Sequence, residues 1–219
     1  MVSVLIRALV PCLAVLAGAI RYQRMDRSTR SVFFQVFAYM VVLTLVKQVM
    51  AYQRMNNLDL NTNIVYNIYL PLETFFLIQA AFFRFENKLF KMFLFAASLL
   101  FITSFCIELF YKSPLKYCNY TDTFANITLS LVYGVLLFQE FRKEAFVWSS
   151  AAFIWITLGV FLFSASTATY MSIFDYLNSI DPEMNRTVYR ILFGVTANLK
   201  YALIALGFWL IPSRSSQIV

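Results

Sequence analysis

One acidic residue in the middle of a long apolar run has the clearest potential for chemistry. Glu73 lies near the centre of residues 64–83, a segment long enough to cross a bilayer. A charge at the centre of a membrane costs several kcal/mol, on the order of 2.5–3.5 on insertion scales, so it is expected to be paired, protonated or open to an internal cavity. Lys200 is the basic residue at matching depth in the last apolar run. We therefore predict an ion pair between Glu73 and Lys200.

Further polar residues fall at the same depth or in the half of the membrane predicted to face outside. With Glu73 and Lys200 they form a candidate ligand-binding set: Asn67, Tyr69, Asn198, Lys47 and Arg7. Polar groups inside a helix bundle must be paired or hydrated. The set predicts a polar cavity that opens to the outside and has Glu73 and Lys200 at its floor. A buried ion pair that fixes helix register and binds nothing explains the same residues equally well.

The sequence argues against catalysis. It contains no histidine, which excludes His-based zinc and haem ligation and the Ser-His-Asp and Cys-His mechanisms. Its three cysteines, Cys12, Cys106 and Cys118, match no metal or redox spacing. Glycine loops that cradle phosphate are also absent. We predict a non-enzymatic protein with no catalytic, cofactor-binding or metal-binding residues, and we leave open whether Cys106 and Cys118 are free or bridged.

The elements that must position these residues are long apolar helices. The chain of 219 residues is 61% hydrophobic and 13% charged, whereas a soluble domain is about a quarter charged. Its apolar stretches run to about twenty residues, which is the length of a membrane-spanning helix. We predict an all-α, polytopic transmembrane bundle in a single domain, 1–219. The seven predicted helices are residues 3–20, 32–52, 64–83, 92–110, 123–141, 147–171 and 189–211.

The positions of the lysines and arginines predict the orientation of the bundle. Ten lie at predicted inner turns or in the tail, and five lie in predicted outer loops. Because positive residues are retained in the cytoplasm, the amino terminus is predicted outside and the carboxyl terminus inside. The longest outer loop is predicted at 172–187. The basic residues are dispersed rather than gathered in one patch, so the predicted partner is the lipid bilayer of a bacterial inner membrane and not nucleic acid.

Two groups of polar residues allow alternative interpretations. Thr44, Lys47 and Gln48 share a helix face, and they either form a polar stripe or let Lys47 extend to the outer surface. Hydroxyl residues crowd the outer third of the sixth helix. They favour close helix packing, with lining of a polar cavity as the alternative. These residues are Ser164, Ser166, Thr167 and Thr169.

Three loose motifs carry a resemblance that spans most of the chain. They are the turn Arg21-Tyr-Gln-Arg24-Met-Asp26, the pattern Asn67-x-Tyr69-x-x-x-Glu73, and Asn198-Leu-Lys200 followed by an apolar run ending in Trp209. With them the chain resembles small bacterial seven-helix membrane proteins that are often encoded beside sensor histidine kinases. The resemblance implies a sensory or accessory role exercised through a membrane protein partner or a multi-subunit complex. It supplies no catalytic residues.

Two alternative functions use the intramembrane Glu73. The first is a small-solute or ion transporter in which Glu73 is the protonatable site. The second is retinal binding, since Lys200 lies in the last helix and Glu73 in the third. Microbial rhodopsins typically have aspartate four residues before that lysine, and this chain has Thr196 there. The sequence therefore argues against retinal.

Overall fold

The structure is a computed structural model, and it describes residues 2–22, 27–56, 61–142 and 148–211. In these ranges the chain forms seven α-helices and no strand. The helices are α1 (Val2–Tyr22), α2 (Arg27–Met55), α3 (Thr62–Arg84), α4 (Lys88–Lys112), α5 (Asn119–Phe141), α6 (Trp148–Ile180) and α7 (Pro182–Trp209). The prediction of an all-helical bundle is confirmed for the described residues.

Six of the helices close into a ring. Around the ring α1 packs on α2, α2 on α3, α3 on α5, α5 on α6, α6 on α7, and α7 returns to α1. Its interior is an apolar core that includes Tyr39, Met40, Leu77, Tyr133 and Ile156, each no more than 1% exposed. Helix α4 lies outside the ring against α3 and α5, and buries only a narrow stripe that includes Leu94, Ala97 and Phe101.

Length and composition suit the helices to a membrane. Within the described ranges, every helix from α2 to α7 contains a span long and apolar enough to cross a bilayer. In α1 the apolar stretch with described side chains is shorter, Leu9–Tyr22. The aliphatic and aromatic side chains exposed on the outer faces, such as Leu45, Phe95, Leu131 and Val195, suit contact with lipid. These six spans fit a multi-pass membrane protein.

The bundle has two distinct ends. We call the end with the α2–α3, α4–α5 and α6–α7 connections the upper end, and the opposite end the lower end. Residues of the lower end include Tyr22, Arg84 and Trp209. Here Arg84 forms an ion pair with the buried Glu140, and its guanidinium group lies over the ring of Phe153. The sequence predicts that the upper end faces outside, and this orientation stays a prediction.

The connection between α6 and α7 differs from the prediction. The sequence predicts a loop at 172–187, but α6 continues to Ile180 and α7 begins at Pro182. Asp181 is the only residue between them; it is extended (φ −149°, ψ 100°), as residues before proline usually are. Its carboxylate accepts hydrogen bonds from the backbone N–H groups of Glu183 and Met184 and so caps α7. The loop prediction was wrong because loss of apolar character marks the edge of a membrane and not the end of a helix.

Candidate functional site

Glu73 and Lys200 meet inside the ring, as their matching depth predicts. The Lys200 Nζ atom lies 2.8 Å from Glu73 Oε1, although the two residues are 127 positions apart. Lys200 is 1% exposed and the Glu73 side chain is 13% exposed. Tyr39 on α2 donates its hydroxyl to the same Oε1 at 2.9 Å. Among the described residues Glu73 Oε2 has no donor, so one carboxylate oxygen of the pair stays available.

Aromatic rings surround the buried ammonium group of Lys200. Its Nζ atom lies 3.4 Å from the centroid of the Phe163 ring, 5.3 Å from that of Tyr39 and 5.4 Å from that of Tyr201. A cation over an aromatic face gains up to about 2 kcal/mol when it is shielded from water. The rings therefore offset part of the cost of burying this charge beside its carboxylate partner.

Close packing of α6 against α7 fixes the position of Lys200. A Cβ atom built on Gly159 of α6 would lie 3.1 Å from the backbone oxygen of Lys200 and 3.1 Å from the Cβ of Leu203. Further along the same contact, a Cβ on Gly207 would lie 2.5 Å from Ile156 Cγ1 and 2.7 Å from the backbone oxygen of Ala152. Glycine permits this approach, so the helix that carries Lys200 is held directly against α6.

The ion pair borders a cavity of about 750 Å³ at the upper end of the ring. Helices α2, α3, α5, α6 and α7 and the α4–α5 connection contribute its walls. Its polar lining residues are Lys47, Thr62, Asn63, Glu73, Asp122, Asn126, Thr167, Asn178, Asn185, Arg186, Arg190, Asn198 and Lys200. Its aromatic lining residues are Tyr66, Tyr69, Tyr117, Phe163, Tyr170, Phe174, Tyr189, Phe193 and Tyr201. The volume is typical of sites that hold small organic ligands.

The predicted ligand-binding residues separate into three groups. Lys47, Tyr69 and Asn198 line the cavity together with Glu73 and Lys200. Tyr69 donates its hydroxyl to that of Tyr39 at 3.3 Å, which links it to Glu73 through one intermediate group. Asn198 donates to the backbone oxygen of Gly194 on its own helix. That these residues bind a ligand stays a prediction.

Asn67 and Arg7 differ from that group. Asn67 is 4% exposed, and its amide donates to the backbone oxygens of Pro114 and Lys116 while its oxygen accepts the backbone N–H of Cys118. Asn67 thus holds the α4–α5 connection against α3, and its side-chain amide and oxygen are already hydrogen-bonded to that connection. Arg7 belongs to α1, but its side chain lies outside the described residues.

Asp122 is the lining residue that the sequence analysis missed. It is 5% exposed, and its carboxylate accepts hydrogen bonds from the Tyr117 hydroxyl at 2.6 Å and from the Asn126 amide at 2.8 Å. Within the described chain no basic group lies within 4 Å of it. Asp122 precedes the predicted start of the fifth helix and therefore looked like a loop residue. The signal was its spacing from Asn126, which places both on one helix face.

The hydroxyl residues of α6 divide between the two interpretations. Thr167 is 2% exposed and lines the cavity, and its hydroxyl has no hydrogen-bond partner in the described protein. Ser164 is buried but does not line the cavity. Ser166 and Thr169 donate to carbonyl oxygens of their own helix, those of Leu162 and Ala165. Cavity lining therefore rests on Thr167.

The proposed polar stripe of α2 is also divided. Thr44 donates to the Met40 carbonyl on its own helix, and Gln48 is exposed with a weak contact to the Cys12 sulfur at 3.6 Å. Lys47 is half-buried and lines the cavity, so it does not merely extend to the surface.

The α4–α5 connection forms one wall near the top of the cavity. Glu108 of α4 accepts the backbone N–H groups of Tyr120 and Thr121 and pairs with Lys112 at 2.7 Å. A carboxylate at the start of α5 satisfies N–H groups that lack a partner within the helix and complements the helix dipole. This arrangement fixes the start of the helix that carries Asp122.

The cysteines are free thiols, so a Cys106–Cys118 bridge is excluded in this structure. Cys106 is exposed on α4, whereas Cys118 is buried in the α4–α5 connection. Burial, together with the nearby Glu108 carboxylate, raises the pKa of the Cys118 thiol to about 11. Cys118 is therefore an unreactive thiol at neutral pH.

Comparison with protein-family models, with curated proteins and with solved structures found no match. Among the described residues no cluster of three or more acidic, cysteine or histidine side chains has the geometry of a metal site. What the arrangement can do chemically is hold a small polar molecule beside a buried ion pair and a second carboxylate.

Proposed function

We propose that this chain is a non-enzymatic membrane protein that senses a small ligand, or serves as an accessory subunit, and acts through partner proteins. The observation that carries the proposal is the cavity of about 750 Å³ that reaches the Glu73–Lys200 pair from one end of the bundle. A pair that only fixed helix register would be expected to lie in a dry core, because an adjacent cavity removes packing contacts.

The proposal also includes the topology and the compartment. The chain crosses a bacterial inner membrane seven times, with the amino terminus outside, the carboxyl terminus in the cytoplasm and the cavity open to the outside. The distribution of lysine and arginine supports this orientation. The resemblance to proteins encoded beside sensor histidine kinases supports the sensory role. A cytoplasmic partner would meet the lower end, where the short α3–α4 connection exposes Glu86, Asn87 and Lys88.

Gentle detergent extraction followed by native mass spectrometry tests this function. We expect the protein to leave the membrane with other subunits in a fixed ratio, with a bound small molecule, or with both. The Glu73→Gln variant keeps the shape of the side chain and removes its charge, and it should lose the small molecule. The Glu86→Gln variant, exposed at the lower end, is the matched control and should keep it. A protein that is extracted alone and empty would contradict the proposal.

A transporter remains the second candidate, and the free Oε2 atom of Glu73 favours it. Glu73 borders the cavity, and its Oε1 atom contacts Lys200 and Tyr39 while Oε2 has no donor among the described residues. Such an acid can exchange a proton without leaving its site. If the chain is a transporter, vesicles containing the protein alone will show solute or proton flux. That flux will be abolished by Glu73→Gln and not by Glu86→Gln. A sensor or accessory subunit will show no flux.

A further inference from the structure

We propose that the cavity binds a small zwitterion, with its ammonium group at Asp122 and its phosphate or carboxylate group at Arg186 and Arg190. This inference rests on the proposed ligand-binding function and adds the chemical class of the ligand.

The charges on the two sides of the cavity differ in sign. In the buried part the formal charge of Glu73 is cancelled by Lys200 at 2.8 Å, whereas Asp122 has no basic group of the described chain within 4 Å. At the rim Arg186 and Arg190 are exposed, and neither forms an ion pair with a described residue. Lys47 also lines the cavity, so what distinguishes the buried part is a carboxylate with no described basic group within 4 Å. What distinguishes the rim is two guanidinium groups that form no ion pair with a described residue.

Aromatic rings make the buried part suitable for an organic cation. Tyr117 donates to Asp122, and the Tyr66 ring lies edge-on to the Tyr117 ring with 6.1 Å between centroids. The rings of Tyr189 and Phe193 lie tilted against each other, with centroids 4.5 Å apart, on the α7 side of the same cavity. Aromatic faces beside a carboxylate are the arrangement that recognises alkylammonium groups. Each carboxylate oxygen of Asp122 accepts one hydrogen bond and keeps capacity for another donor.

The rim suits the other end of such a molecule. Arg186 and Arg190 are four residues apart on α7, so their guanidinium groups share one helix face. Guanidinium groups bind phosphate and carboxylate through paired hydrogen bonds. A molecule that carries only a positive charge would be repelled at this rim, whereas a zwitterion matches both regions.

Thermal unfolding of the full chain in nanodiscs of phosphatidylglycerol tests the ligand class. The soluble probes are phosphoethanolamine and phosphocholine as zwitterions, choline as a cation, and inorganic phosphate and sodium chloride as controls at equal ionic strength. We expect a zwitterion to raise the melting temperature at concentrations about tenfold lower than choline or phosphate require. A second set of nanodiscs contains phosphatidylethanolamine. If only phosphatidylethanolamine, and no soluble probe, stabilises the protein, and if Asp122→Asn loses this effect, the zwitterion is a lipid headgroup.

Matched variants connect the effect to the residues. Asp122→Asn should weaken zwitterion binding by about tenfold or more, while Asp175→Asn, exposed on α6 at the same end, should leave it unchanged. If Asp122→Asn fails to fold, Tyr189 supplies the test, because Tyr189→Phe keeps the aromatic face and Tyr189→Leu removes it. Only the second of these should weaken binding.

Several results would overturn the inference. One is that sodium chloride or phosphate alone stabilises the protein as much as the zwitterions do. Another is that the two variants of a matched pair respond equally. The third is that no zwitterion, in solution or in the bilayer, has any effect. The proposed function is judged separately, since native mass spectrometry would still detect partner subunits or a ligand of another class.

Discussion

At the scale of single residues, the ion pair is the feature with the largest energetic consequence. Removing either partner leaves a charge in the interior of the ring without its counterion. Such a loss typically costs about 3–5 kcal/mol, while replacing both partners with neutral groups is far less costly. The aromatic rings around Lys200 and the hydroxyl of Tyr39 contact the charged groups, but they do not replace a missing counterion.

Single and double substitutions of the pair are predicted to be non-additive. Glu73→Gln and Lys200→Met should each lower the free energy of unfolding by about 3 kcal/mol, and the double variant should lose clearly less than the sum. Unfolding of purified protein in detergent, followed by circular dichroism, measures this. Lys116→Met, exposed in the α4–α5 connection, is the control and should be neutral. Additive losses would mean that the two charges do not interact.

The reactivity of Cys118 is predicted to depend on pH. Burial and the nearby Glu108 carboxylate raise its pKa to about 11, so at pH 8 only about one thiol in a thousand is ionised. The neutral form is favoured in the fold, so this contribution to stability is complete below the unfolded pKa of about 8.5. It is lost as the pH rises toward 11.

Labelling a Cys12→Ser/Cys106→Ser variant with a small maleimide measures the Cys118 thiol alone. We expect slow labelling at pH 8 and rapid labelling after denaturation in detergent. Fast labelling of the folded protein at pH 8 would show that the connection is open. The Asn67→Ala variant removes the three hydrogen bonds that hold this connection and should speed labelling without denaturant.

At the scale of elements, the sequence predicts the number and type of helices well and their ends poorly. The seven apolar runs coincide with the seven helices of the described chain, since burial in a membrane requires about twenty apolar residues. α6 has 33 residues, about 50 Å at 1.5 Å per residue, so it extends well beyond the apolar layer. Polar residues such as Asp175 and Asn178 continue the helix there. Hydropathy therefore misplaces its end.

The candidate site was predictable only in part for a related reason. Depth along a helix placed Glu73 and Lys200 together, because depth is readable from an apolar run. It cannot reveal which helices are neighbours, so the donor Tyr39 on α2 and the ring of Phe163 on α6 were not predicted. Asp122 was missed since helix α5 begins at Asn119, earlier than its apolar run.

Close packing of α6 against α7 is predicted to be intolerant of a single methyl group. In Gly207→Ala the new Cβ would lie 2.7 Å from the backbone oxygen of Ala152, which cannot move alone. We expect a loss of about 1–3 kcal/mol in the free energy of unfolding. Gly134→Ala is the control, because its Cβ would meet only the Phe161 ring, at 3.2 Å, and a ring can shift. Equal effects of the two substitutions would contradict the structural argument.

At the scale of the whole molecule, the described cavity occupies the upper half of the ring. The lower half of the ring is filled by aromatic and aliphatic side chains, including Phe33, Phe153 and Phe208, each no more than 3% exposed. The upper half is lined by tyrosines and charged groups. A ligand would thus enter from the side that the upper end faces. Orientation in the membrane decides whether the cavity faces the exterior or the cytoplasm.

The orientation gives the last prediction. Lys116 is exposed in an upper connection and Glu86 in a lower one, so they report on opposite sides of the membrane. In a background with all three cysteines replaced by serine, an impermeant thiol reagent should label Lys116→Cys on intact cells. Glu86→Cys should be labelled only after the membrane is permeabilised. The excess of lysine and arginine in the predicted inner turns and tail is the physical reason, since positive residues are retained in the cytoplasm. The reverse pattern would show that the cavity faces the cytoplasm. Its ligand would then be a metabolite of the cell and not an external molecule.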